Sequence, residues 1–249
     1  MDSFVKRRSD APPGLFRAEA AGLAWLRVPG GVPVVDVLAC EATSLTLSRV
    51  HPIAPTLEAA RRFGESLAVT HDAGAAAFGA APDGYDGPCF IADLPLACEP
   101  RPAWGVFFAE QRLVPYARLA ESRLGRAGRE VIERLADRVA AGTFGDSAPP
   151  ARLHGDLWSG NVVYGQDGAA LIDPSAHGGH RISDLAMLAL FGAPYLETVF
   201  RAYEDASAHL PDHWRGLVGL HQVYPLLVHT VLFGGGYAAE AVATARAYL

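Results

Sequence analysis

Leu153-His154-Gly155-Asp156-Leu157-Trp158-Ser159-Gly160-Asn161 is followed by Val162-Val163-Tyr164, the turn Gln166-Asp167-Gly168, Ala170-Leu171-Ile172 and then Asp173-Pro174. Two short apolar runs around a turn of that composition read as a β-hairpin. A tight antiparallel hairpin returns the chain to its start, so Asn161 and Asp173, at its two ends, become neighbours. Asp156 precedes Asn161 by one short loop, and three oxygen-bearing side chains then converge. Phosphoryl transfer needs such a set: a carboxylate beside the acceptor hydroxyl and hard oxygen ligands for Mg2+.

The spacing H-x-D-x-x-x-x-N is the catalytic-loop pattern of kinases, in which the Asp accepts the substrate proton and the Asn oxygen meets a metal. Asp156 is therefore assigned as base, and Asn161 and Asp173 as magnesium ligands. A lone H-G-D would read as an ordinary turn, since Asp and Gly are common turn residues. The Asn at the right offset, and an Asp closing an apolar strand, argue against that. A metallohydrolase built on His154, Asp156, His177 and His180 is the weaker reading, because no His pair has the H-x-x-x-H spacing of a zinc site.

Upstream, Lys6 is the single lysine among 21 basic residues and lies in the strand-like run Phe4-Val5-Lys6. Lysine is a compact point charge suited to one phosphate contact, whereas arginine is a wide fork. A helix is expected from near Gly14 to Leu26, with Phe16, Ala20, Leu23 and Leu26 on one face. Glu19 on that helix would pair with Lys6, holding it against the phosphates of ATP. Arg49 and His51, closing the second of two strands expected at Val32–Cys40 and Ser44–Val50, are counted with Lys6 and Glu19 as nucleotide-binding residues. His51-Pro52 reads as a hinge.

Beyond it, Thr56 through His71 looks helical. The segment from Ala73 to Pro102 is rich in Gly, Pro and Ala and reads as a long functional loop with short turns. Helices are expected at Ala103–Glu121, broken at Pro115, and at Arg126–Ala141. From Ile182 onward the chain is helical, punctuated at Pro194, Pro211, Pro225 and Gly234-Gly235-Gly236. The expected architecture is α/β (α+β) and two-lobed: a reduced N-terminal nucleotide-binding lobe over residues 1–50 and a mainly helical lobe over 51–249 carrying the catalytic loop and metal site.

Composition narrows the function classes. Half of the 249 residues are hydrophobic, 19% are charged and the formal net charge is −6. A chain of this kind has a core to bury and no basic block, so nucleic acid is excluded as the main partner. No run of 18 apolar residues is free of charge or Pro, so no membrane span is expected. Lys6-Arg7-Arg8 leads into Ser9-Asp10-Ala11-Pro12-Pro13 rather than an apolar stretch, unlike a signal peptide. Cys40, Cys89 and Cys98 are odd in number and read as isolated thiols in a reducing cytoplasm.

Taken together, these stretches resemble the fructosamine (ketosamine) kinases, relatives of aminoglycoside phosphotransferases and choline kinases. The resemblance is carried by F-V-K at Phe4 to Lys6, F-R-A-E-A-A-G-L at Phe16 to Leu23 and W-G-V-F-F-A-E-Q-R-L-V-P at Trp104 to Pro115. It continues through H-G-D-L-W-S-G-N at His154 to Asn161, D-P-S-A-H-G-G-H-R-I-S-D-L-A-M at Asp173 to Met187 and H-Q-V-Y-P-L-L-V-H at His221 to His229. It implies a protein-kinase-like fold and ATP- and Mg2+-dependent phosphorylation of a C3 hydroxyl on a small-molecule or protein-bound ketosamine. The phosphorylated adduct decomposes, so the family is regarded as deglycating. It also implies that Asp184 tethers the catalytic-loop backbone and that His180 and Arg181 brace the metal loop, with His154 and Trp158 supporting the same site.

Two departures from the family stand out. Only five residues precede Lys6, where kinases normally carry two strands and a Gly-rich loop over the phosphates. Either the native chain starts upstream of Met1 or it lacks that lid. The segment Cys89 to Cys98 also lacks the Asn, Gly and Gln of the family's N-x-I-G-x-x-x-Q-x-N pattern, which bears on acceptor choice. The alternatives to a ketosamine kinase are an aminoglycoside- or choline-type phosphotransferase and an inactive pseudokinase or binding module.

Overall fold

Lys6 lies on β1 (Ser3–Arg7), which pairs antiparallel with β3 (Ser44–Ser48); β3 pairs in turn with β2 (Val37–Cys40). The computed structural model describes residues 2–145 and 147–249. Helix α1 (Leu15–Leu26) packs on this sheet through Phe16, Leu23, Trp25 and Leu26, which join Val34, Val35, Leu45 and Leu47 in a small core. The strand expected over Val32–Cys40 is shorter than the apolar run. Val32 belongs to the larger core, and Val34 makes a parallel bridge to Leu171. The run is apolar because it crosses between two cores, not because it is one strand.

Helix α2 (Leu57–Asp72) starts where expected: the Thr56 hydroxyl accepts a hydrogen bond from Ala59 N at 3.1 Å, a standard N-cap. The long segment after it contains a hairpin that the sequence reading missed, β4 (Cys89–Ile91) with β5 (Leu94–Leu96). Pro95 lies inside β5, which is permissible in a two-stranded edge arrangement. Cys89 and Cys98 flank this hairpin and are not isolated thiols: their contact is the leading cause of a lowered pKa at Cys89 and a raised one at Cys98.

The helix expected at Ala103–Glu121 is interrupted before Pro115, not at it. Between α3 (Trp104–Phe108) and α4 (Val114–Leu119) lies a π-helical turn, Ala109–Leu113. Pro115 has no N–H to give to the carbonyl four residues back, at Gln111. Arg112 Nη1 donates to that carbonyl instead, at 3.1 Å. Helix α5 (Glu121–Ala140) is kinked at Gly125 (φ 66°, ψ 169°), so its straight part begins at Arg126 as expected.

Strand β6 (Ala151–Leu153) enters the catalytic loop, β7 (Val162–Gly165) and β8 (Gly168–Leu171) form the expected hairpin, and β9 (His177–Gly179) returns to pair antiparallel with β6. Helices α6 (Ile182–Phe191), α7 (Leu196–Ala206), α8 (Trp214–Phe233) and α9 (Tyr237–Arg246) complete the larger core. Pro225 does not end α8, contrary to expectation; Val223, Tyr224, Leu226, Leu227 and Val228 around it are buried, and packing outweighs the lost hydrogen bond.

Candidate active site

The β6–β9 pair fixes the site. Leu153 pairs with His177, so the loop leaving β6 and the loop entering β9 run side by side. Two backbone hydrogen bonds tie them: Ser175 N donates to His154 O at 2.9 Å and Ile172 N to Asn161 O at 3.1 Å. Gly155 adopts φ +82°, and a Cβ there would stand 2.2 Å from Ser175 O, so only glycine allows this approach.

Within the loop, His154 is buried and donates Nε2–H to Ile172 O at 2.8 Å, while its Nδ1 accepts from Asp156 N at 3.2 Å. Burial holds its pKa below the usual value, so it stands as a neutral strut. Asn161 donates Nδ2–H to Asp156 O at 2.8 Å and to Asp156 Oδ2 at 3.1 Å. Both amide hydrogens are thus turned to Asp156, which leaves the amide oxygen for another partner. Burial, with the Asp184 and Asp173 charges adding to it, pushes Asp156 up to about 6 against the Asn161 hydrogen bond.

Asp184, at the start of α6, is buried and carries the loop backbone. Its carboxylate accepts from His154 N at 2.7 Å, Gly155 N at 3.0 Å and His71 Nε2 at 3.1 Å. Burial alone would raise its pKa, but His71, His154 and the Gly155 N–H outweigh that and lower it. His71 is held in place by Tyr203, whose hydroxyl lies 2.7 Å from its Nδ1. The sequence reading missed His71; at the end of a helix it looked like an ordinary last-turn residue.

Lys6 bonds Glu19 Oε1 at 2.6 Å and also forms an ion pair with Asp173. Asp173 has φ 55°, a left-handed conformation that an aspartate tolerates better than most residues, and it turns its carboxylate toward Lys6. Glu19 is pushed up by burial, and the Asp173 charge adds to this while Lys6 opposes it. Lys6, Glu19, Asp156, Trp158, Asn161 and Asp173 all line one cavity of about 690 Å³. A second cavity, about 320 Å³, continues from Lys6 and Asp173 between the small sheet and the hairpin, with Phe4, Val35, Val50, Val163 and Arg49 in its wall.

The remaining expected residues fall in different places. Arg49 reaches that second cavity, but His51 does not; it is 74% exposed, pairs with Asp2 at 3.1 Å and borders a neighbouring hollow with Gln166 and Asp167. Trp158 is partly exposed over the catalytic loop. The expectation that Arg181 braces the Asp173 loop is corrected: it is buried, forms an ion pair with Asp72 and donates to Ser207 Oγ at 3.3 Å, so it ties α6 to α2 and α7. The His180 ring packs tilted against the stacked pair of Trp104 and His221.

The side chains around Asp173 fit a divalent cation bound with a phosphate ligand. Glu19, Asp156, Asp173 and the Asn161 amide offer oxygen, and the cavity is lined by four carboxylates, these three and Asp93, together with Lys6, Arg7 and Arg8. Among the described residues no group of three His, Cys, Asp or Glu forms a ready cage. Magnesium does not need one, since it binds through one or two carboxylates, water and the substrate's phosphates.

Comparison with known proteins agrees with this geometry. The sequence profile of the family described as fructosamine kinase matches residues 1–249. A probable ketoamine kinase of Thermus thermophilus is 35% identical over 233 residues, covering 94% of this chain and 82% of that protein. Another from Synechocystis is 32% identical, covering 96% and 80%. The crystal structure of a candidate fructosamine-3-kinase from Thermobifida fusca superposes with a TM-score of 0.90 at 48% identity, covering 99% and 85%. A choline kinase of Streptococcus pneumoniae superposes at 0.59 with 15% identity, covering 99% and 85%, a likeness of fold alone.

Proposed function

The chain belongs to the fructosamine kinase family, and from that premise we propose how its own residues serve ATP-dependent phosphorylation of the sugar-derived C3 hydroxyl of a ketosamine. It is a phosphotransferase with an alcohol acceptor and a mixed α/β, protein-kinase-like fold. The observation that carries the residue assignment is the single cavity in which the Lys6–Glu19–Asp173 ion cluster faces Asp156 and Asn161.

Asp156 is the base. It takes the hydroxyl proton as that oxygen attacks the γ-phosphorus, the bond from phosphorus to the β,γ-bridging oxygen breaks, and ADP leaves. A pKa of about 6 keeps the carboxylate largely ionised at neutral pH yet basic enough to accept a proton. Lys6, held by Glu19, meets the phosphates as a point charge. Asn161, through its amide oxygen, and Asp173 would hold Mg2+, which when bound neutralises charge developing on the phosphates. Asp184 and His154 position the loop. The cavity of Phe4, Val35, Val50 and Val163 takes the base of the nucleotide, with Arg49 at its edge.

The test is ADP release with a deoxyfructosyl amine, with the phosphorylated position read by NMR. Release that depends on the ketosamine and yields a 3-phosphate is the expected result. Turnover with choline or an aminoglycoside and none with the ketosamine would sink this reading.

A further inference from the structure

Asp156 also borders a third, smaller cavity that Lys6 does not line, and one wall of that cavity is Arg112. Arg112 is 1% exposed. Its Nη1 donates to the carbonyls of Ala97 at 2.9 Å and Gln111 at 3.1 Å, the latter being the carbonyl orphaned by Pro115. Its Nε and Nη2 have no hydrogen-bond partner. These two nitrogens form one edge of the guanidinium, the edge that grips a carboxylate with two parallel N–H donors. Among the described residues no carboxylate lies within ion-pair distance of Arg112; the Phe107 ring lies at 4.5 Å and the Tyr224 ring at 5.6 Å, and the Cys89 and Cys98 thiols also lie within reach of its charge. Its charge is felt nonetheless: burial and then Arg112 push His177, in the same cavity, down to about 3.

A buried charge normally has a partner, because leaving it without one is costly. Here Arg112 lines a cavity that the catalytic carboxylate also lines, so the partner can come from the acceptor. We propose that Arg112 binds the carboxylate of the acceptor, and that the preferred substrates are ketosamines of free α-amino acids. This rests on the ketosamine-kinase reading above. The cavity measures about 40 Å³, room for a carboxylate or a few waters but not for a sugar ring. The sugar therefore occupies the larger cavity, its hydroxyl at Asp156 where the two meet. In a ketosamine of an α-amino acid, the carboxylate lies only a few bonds from C3. Tyr224 lines the same small cavity as Asp156 and Arg112. His221, whose Nε2 is also unpartnered, adds a neutral polar group to the same wall: burial and then His180 lower its pKa well below the usual value.

The general electrostatics oppose such a preference, which makes it diagnostic. The chain carries a formal charge of −6, and Glu19, Asp156 and Asp173 add local negative charge. A preference for an anionic acceptor therefore needs a cation in direct contact with it, and since Arg7 and Arg8 line the larger cavity too, the Arg112 variants are what assign the preference to Arg112.

The experiment compares N-(1-deoxyfructosyl)glycine with the corresponding glycinamide, with saturating ATP. The wild-type kcat/KM should favour the acid by about tenfold to a hundredfold, the range for a hydrogen-bonded charge. Arg112→Gln should bring the acid-to-amide ratio close to one, and Arg112→Lys, a charge without the fork, should lower it part of the way. A wild-type ratio near one means that water alone fills the cavity and overturns the inference, while phosphorylation of both adducts leaves the kinase reading standing. That wild-type ratio can overturn the inference even where the variants do not fold. A ratio unchanged in folded Arg112→Gln also overturns it. Phosphorylation of neither adduct removes the ketosamine reading and this inference with it.

Discussion

Asp156→Asn should stop turnover and at the same time make the ligand-free protein more stable. The catalytic carboxylate is half-buried and its pKa rises from 3.8 to about 6, chiefly by desolvation, with the Asp184 and Asp173 charges adding to it. The folded state therefore binds this proton more tightly than the unfolded chain does. Stability falls as pH climbs from the unfolded value through the folded one, and the whole penalty is present at pH well above 6. At about 1.4 kcal/mol per pKa unit, that penalty is on the order of 3 kcal/mol. Asparagine carries no charge and can keep its carbonyl toward the Asn161 amide, now 3.1 Å from Asp156 Oδ2.

The assay is urea unfolding of wild type and variant without nucleotide or divalent ion. At about pH 8 the variant should be more stable by about 1–3 kcal/mol, at about pH 5 the gap should shrink to roughly half, and below 3.8 it should vanish. Turnover should fall by about a hundredfold or more, the usual contribution of a general base, while ATP affinity is largely retained. A variant less stable than wild type at pH 8, or a gap independent of pH, would show that the Asp156 carboxylate is not strained by its surroundings. Retained turnover would remove it as the base.

Lys6→Arg should lower ATP affinity and rate by about tenfold or more, because a fork cannot replace the ammonium between Glu19 and Asp173; unchanged kinetics would remove Lys6 from the phosphate site. Asp184→Asn should cost about 2–4 kcal/mol at neutral pH, since one amide oxygen cannot serve the three donors that the carboxylate accepts from. The lowered pKa of Asp184 means that its contribution persists through neutral pH and is lost only below the ordinary 3.8, so the wild-type advantage should shrink in strong acid; an unchanged urea midpoint would contradict its tethering role. In Gly160→Ala the new methyl would stand 2.2 Å from the Trp158 ring, whose free end can move, so stability should change by less than about 1 kcal/mol while the KM for the acceptor changes; an unaltered KM would place Trp158 outside acceptor binding.

What the sequence made legible was local. The catalytic loop, the hairpin between Asn161 and Asp173 and the cap at Thr56 each rest on a few adjacent residues, and all appear where expected. What stayed hidden depends on contacts distant in sequence. Strand β9 is His177-Gly178-Gly179, a composition without strand preference, and it is extended only because β6 lies beside it. Pro225 inside α8 and the π-helical turn before Pro115 likewise follow from packing and from an orphan carbonyl, not from propensity. His51 was grouped with the nucleotide by its position after a strand, but the side chain turns outward to Asp2.

Arg112 shows why a residue can be conspicuous in the fold and silent in the sequence. In a chain whose basic residues are nearly all arginine, one more inside an apolar helix carries no signal. Its meaning arises from three placements. Pro115 frees a carbonyl that takes one end of the guanidinium, the rings of Phe107 and Tyr224 lie against it, and the residue lines a cavity that Asp156 also borders. The catalytic carboxylate thus stands between two cationic groups that differ in kind. Lys6 already has Glu19 and Asp173 as partners, so an arriving phosphate must share it with carboxylates. Arg112 has no carboxylate in an ion pair with it, although Asp156 and Asp184 line the same cavity, so an arriving carboxylate finds a cation whose forked edge is free. This asymmetry orients an acceptor with one anionic end: the carboxylate is drawn to Arg112 and repelled by the acidic side chains around Lys6, and the hydroxyl between its two ends is left at Asp156.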